Sequence, residues 1–73
     1  MKEYKNLIEE YAAITEELFE HTEEYYDAMN YDLEGYVNMY NDKDYGDIED
    51  LRNQIEAFTL ILEGIKKMNY LFC

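Results

Sequence analysis

The side chains in this chain that could do chemistry are carboxylates, and few other reactive groups accompany them. His21 is the single histidine, with Glu17 four residues before it and Glu24 three after. On one helix face those three groups could hold part of a metal site if a second copy supplied more ligands, as carboxylate-bridged bundles do. Such sites need a Glu three residues before the His, and Leu18 stands there. A histidine hydrogen-bonded at the edge of the core is the simpler reading. A calcium loop fails as well. Asp42-Lys43-Asp44-Tyr45-Gly46 puts the glycine fifth instead of sixth, and counting from Asn41 places Lys43, Tyr45 and Arg52 at ligand positions. There is no phosphate loop, zinc spacing or nucleophile constellation. These residues predict neither an enzyme nor a metal or cofactor protein.

What remains is charge. The 73 residues carry 18 acids against 6 Lys and Arg, a net charge of -12. From Asn6 to Asp42 there are 37 residues without a Lys or Arg, holding eleven carboxylates. Such a surface repels nucleic acid and anionic membranes and attracts basic proteins. Read as one helix, Glu16, Glu17, Glu20, Glu23, Glu24 and Asp27 form six like-charge contacts at spacings of three and four. At roughly 0.2–0.5 kcal/mol each these cost the helix about 1–3 kcal/mol. Lys2 and Lys5 at its start and acids at its end also oppose the helix dipole. A local penalty of that size predicts that the acids serve binding. Nine carboxylates fall between Glu3 and Asp27. Over ~36 Å of helix that is one per ~4.5 Å, close to the ~3.4 Å phosphate spacing of a DNA strand.

Six of the nine tyrosines lie between Tyr25 and Tyr45, interleaved with Asp27, Asp32, Glu34, Asp42 and Asp44. Tyrosine beside carboxylate suits Lys and Arg through ion pairs and cation–π contacts. Tyr25, Tyr36 and Tyr40 fit the apolar stripes and are expected in the core. Tyr26, Tyr31 and Tyr45 fit them less well, as does Phe19. The candidate partner-binding set is therefore Glu16, Glu17, Glu20, Glu23, Glu24, Asp27, Tyr26, Tyr31, Asp32 and Glu34.

The elements that position these groups are helical. The chain has no proline, and its 48% hydrophobic residues recur at steps of three and four. Tyr4, Leu7, Tyr11, Ile14, Leu18, His21, Tyr25 and Ala28 predict a helix over 3–29. Leu33, Tyr36, Val37 and Tyr40 predict a shorter one over 32–41. Ile48, Leu51, Ile55, Phe58, Leu62, Ile65 and Phe72 predict a third over 47–71, capped by Asp47. Residues 41–46 are the loop. The expectation is a single all-α domain over 1–73. It has two long antiparallel amphipathic helices with a short one between them, in a hairpin or three-helix arrangement. Two heptad-like stripes exceed what one short hairpin buries, so a homodimer is expected too.

The N-terminus Met-Lys-Glu-Tyr-Lys shows no secretory signal, no apolar run is long enough to span a membrane, and Cys73 is the single cysteine. These features predict a cytoplasmic protein. In charge, size and aromatic content the chain resembles the small acidic anti-CRISPR and anti-restriction proteins encoded by phages. That resemblance rests on general character and on no motif. It implies an inhibitor that occupies the basic, nucleic-acid-binding surface of a nuclease complex, with the acids as mimicry and Tyr26 and Tyr31 as anchors. An immunity protein or antitoxin against a basic toxin has the same features, and so does a structural helical homodimer.

Overall fold

The structure is a computed structural model that describes residues 2–46 and 48–72, with side chains as far as Met68. It is all-α, with three helices and no strand among the described residues. They are α1 (Lys2–His21), α2 (Tyr26–Asn41) and α3 (Ile48–Phe72). The all-helical architecture matches the sequence expectation, but the first boundary does not. The helix expected over 3–29 stops at His21, and α2 is longer than foreseen.

The break is made at Thr22. Its backbone N–H donates to the Leu18 carbonyl at 2.9 Å, closing the last turn of α1. Its Oγ1 then accepts from the Glu24 N–H at 3.2 Å, a local turn that competes with helix continuation. A second turn bond runs from the Tyr26 N–H to the Glu23 carbonyl at 3.2 Å. Periodicity hides this break. Tyr25 and Met29 continue the three-four rhythm of α1, yet they begin the core stripe of α2, which runs on through Leu33, Tyr36 and Tyr40.

At its other end α2 closes through two bonds, from the Lys43 N–H to the Tyr40 carbonyl at 3.1 Å and from the Asp44 N–H to the Met39 carbonyl at 2.9 Å. This is a Schellman cap, and it sets Lys43 at φ 61, a left-handed conformation that favours glycine. Lys43→Gly is therefore expected to raise stability by about 0.5–1 kcal/mol, read as an increased midpoint in urea. An unchanged or lowered midpoint refutes the strain argument. The Asp44 carboxylate accepts from the Gly46 N–H at 3.2 Å and turns the chain toward α3. The Asp47 cap and the side chains of Tyr70, Leu71 and Phe72 lie outside what the structure describes.

Two ion pairs fix the direction of α3. Arg52 pairs with Glu3 and Lys66 with Glu17, and both pairs join residues 49 apart. Helices α1 and α3 therefore run in the same direction. α2 runs antiparallel to both and packs on α1, so the three-helix arrangement holds and the simple hairpin does not. α1 packs against both other helices along the bundle, whose longest extent is 45 Å.

The core is aromatic in its middle and at one end. Tyr11 touches all three helices: its ring lies 6.0 Å from Tyr36 on α2 and 6.2 Å from Phe58 on α3, both edge-on. At the open ends of α1 and α3, Tyr4 meets Tyr40 at 6.1 Å and Tyr45 at 5.2 Å. Ile14, Leu18, Met29, Leu51, Ile55 and Leu62 complete the buried set. Thr15, buried among them, satisfies its hydroxyl by donating to the Tyr11 carbonyl at 2.9 Å.

Candidate protein-binding surface

The acids do not form one ribbon. Helix α1 turns its outer side to solvent with Glu9, Glu16 and Glu20, and its flank against α3 carries Glu3 and Glu17. Glu17 is thus paired with Lys66 of the same chain, both side chains remaining partly exposed. Glu23 and Glu24 are exposed in the α1–α2 turn, and Asp27 is exposed in the first turn of α2.

This reassignment changes the energetics. Only Glu16–Glu20 and Glu17–Glu20 remain like-charge neighbours on one helix, an expected cost of about 0.4–1 kcal/mol. Glu24 and Asp27 now stand near the N-terminus of α2, where negative charge stabilises the helix dipole. Tyr25, at the N-cap position, makes no side-chain cap bond. Carboxylates around that turn compensate for the missing cap. The local penalty read from the sequence therefore shrinks to one end of α1.

The tyrosines separate just as clearly. Tyr26 is half-buried, its ring 4.3 Å from Phe19, and the two seal the outside of the α1–α2 corner. Tyr26 thus serves packing first, and the exposed edge of this pair is Phe19. Asp32 is half-buried beside Tyr11 instead of facing outward. Burial, with smaller contributions from the Asp32 carboxylate and the Tyr36 phenol, pushes the Tyr11 phenol well above the ordinary tyrosine range. Tyr31 is 80% exposed, the most solvent-exposed large apolar side chain among the described residues.

Around Tyr31 the outer face of α2 assembles a small site. Tyr31, Glu34, Gly35 and Asn38 line an open depression of about 240 Å³. At Gly35 a Cβ would meet nothing within 4 Å. A mid-helix glycine costs about 1 kcal/mol against alanine, and nothing within this chain requires one at that position. Asp27 lies one turn before Tyr31 on the same side, and α2 contains no basic residue to neutralise it. Sequence reasoning named Tyr31, Glu34 and Asp27 but missed Gly35 and Asn38. The available signal was their helical spacing from Tyr31, at four and seven residues.

No known family model, curated protein or solved structure matches the chain. The surface therefore has to be read from its own chemistry. Among the described residues no cluster of His, Cys, Asp and Glu is arranged to hold a metal ion, and Glu24 leaves the helix that would set it one turn from His21. Among the described residues no helix is long and apolar enough to cross a membrane. What α2 and the turn before it offer is an exposed aromatic ring among outward carboxylates, in a stretch from Asn6 to Asp42 without Lys or Arg. That combination receives Lys and Arg side chains.

Proposed function

We propose that this protein is a binding inhibitor that covers a basic, nucleic-acid-binding surface of another protein. One observation carries the reading. Glu16, Glu20, Glu23, Glu24, Asp27 and Glu34 all face solvent within a stretch, Asn6 to Asp42, that has no Lys or Arg, with Tyr31 standing free among them. Carboxylates steer and register a basic partner, and a rigid exposed tyrosine supplies the buried area that charge alone does not. The partner class is a nucleic-acid-binding protein, in keeping with the resemblance to small phage inhibitors of nucleases.

A second reading, neutralisation of a basic toxin, gains from the shape of the site. The acids are split between two helices and a turn, so recognition centres on the Tyr31 depression more than on an extended charge ribbon. Displacement by nucleic acid separates the two. The immobilised chain is incubated with cell lysate at low salt, and retained proteins are challenged with excess duplex DNA or single-stranded RNA. Release of a retained nuclease or other nucleic-acid-binding protein supports the first reading. Retention of a partner that nucleic acid leaves in place supports the second. Tyr31→Ala should weaken capture by about 2 kcal/mol in either case, with the melting curve unchanged. Full capture by that variant removes Tyr31 from the site.

A further inference from the structure

The outward face of α3 carries an apolar stripe that no other helix covers. Leu60 is 62% exposed and Met68 58% exposed, and Gly64 lies midway between them at four-residue spacing. A Cβ at Gly64 would meet nothing within 4 Å, so no intrachain contact calls for glycine there. A close approach by a second helix does, because a small residue at the crossing point lets two backbones come together. Ala57, also exposed, continues the same face by one turn.

Charge identifies what covers this stripe. Residues 57–73 hold one acid, Glu63, and two bases, Lys66 and Lys67, in a chain whose total is -12. Here two copies can meet without strong repulsion. Lys66 is engaged with Glu17, while Glu63 and Lys67 are exposed and enter no ion pair among the described residues. The pattern is self-complementary only in one sense. If two α3 helices cross antiparallel at Gly64, Leu60 of each faces Met68 of the other, and Glu63 of each stands beside Lys67 of the other. A parallel crossing would carry Glu63 and Lys67 of the two copies to opposite flanks of the contact, where they cannot pair.

We infer that the chain forms a weak symmetric homodimer through an antiparallel crossing of α3 at Gly64. The contact is short, so its area lies well below the ~1,200 Å² of stable complexes and the dimer dissociates at micromolar concentrations. It lies on a different helix from Tyr31 and leaves the α2 surface open for a heterologous partner.

Sedimentation equilibrium from about 10 to about 500 µM tests this, and the weight-average mass should rise from 8.9 kDa toward twice that value. Gly64→Gln should raise the melting temperature, since glutamine is the better helix former on an open surface, yet weaken the dimer at least about tenfold. Lys67→Glu should also weaken it, and Glu63→Lys combined with Lys67→Glu should restore it. A monomer across the whole range overturns the proposal. So does a dimer untouched by Gly64→Gln, or a double swap no stronger than Lys67→Glu alone.

Discussion

Tyr11→Ala should leave the chain largely unfolded at room temperature. The ring is completely buried and, among the described residues, is the one side chain whose aromatic contacts reach both α2 and α3 from α1. Truncating a buried aromatic of this size costs about 3–5 kcal/mol, and a domain this short has only about 5 kcal/mol in total. Loss of the cooperative melt in far-ultraviolet circular dichroism is the expected result, and a variant that still melts cooperatively within ~10 °C of the parent contradicts the assignment. Tyr11→Phe should do the opposite. The hydroxyl is buried and finds no hydrogen-bond partner among the described residues, so removing it relieves a cost of about 1 kcal/mol while the ring contacts stay.

The same phenol gives the fold an alkaline limit. Its folded-state pKa is raised, with burial the main cause. The folded chain therefore holds this proton more tightly than the unfolded chain, and stability is unaffected below the ordinary phenol range. Above about pH 10 the unfolded chain releases the proton while the folded chain retains it, and stability falls as pH rises. Tyr11→Phe should remove part of that slope. Equal alkaline slopes in parent and variant would assign the effect to other tyrosines.

The second large effect concerns binding. Neutralising Glu16, Glu20, Glu23, Glu24 and Glu34 to Gln and Asp27 to Asn, with Glu17 left intact, should weaken association with the captured basic partner at least about a hundredfold. It should also flatten the salt dependence of the on-rate. Sparing Glu17 preserves its pair with Lys66 and so isolates the outward charge. The fold should hardly respond. Relief at Glu16 and Glu20 stabilises α1, loss of charge at Glu24 and Asp27 weakens the start of α2, and the two offset to within about 1 kcal/mol. An isotherm matching the parent's would show that the acids only solvate the surface.

Much of the fold was legible from spacing alone. The stripe from Ile48 through Leu62 placed α3 within a residue or two, and residues 41–46 stood out as the loop. The α1–α2 turn was not legible, because Leu18, Tyr25 and Met29 keep helical phase straight across it. The deciding element is one hydroxyl, that of Thr22, whose local bond carries no periodic signal. That single break also misplaced the acids, since charge assigned to the end of one helix belongs to the start of the next. The pairings of Glu3 with Arg52 and Glu17 with Lys66 depend on α1 and α3 lying parallel, which follows only once α2 is known to be long enough to return the chain. Tyr31 was identifiable because no stripe claims it. Asp32 lies at the edge of a stripe, a position that can face either way, so spacing alone does not say which.

Where the cations sit has a consequence for motion before contact. Arg52, Lys66 and Lys67 offset all but one of the four acids on α3, while α2 carries three acids and no Lys or Arg. The negative charge is therefore unevenly spread between these two helices as well as large. In the field of a cationic body it experiences a torque, not merely a pull. As it diffuses inward it turns α2 forward and α3 to the rear, so the orientational search is partly complete before the two surfaces touch.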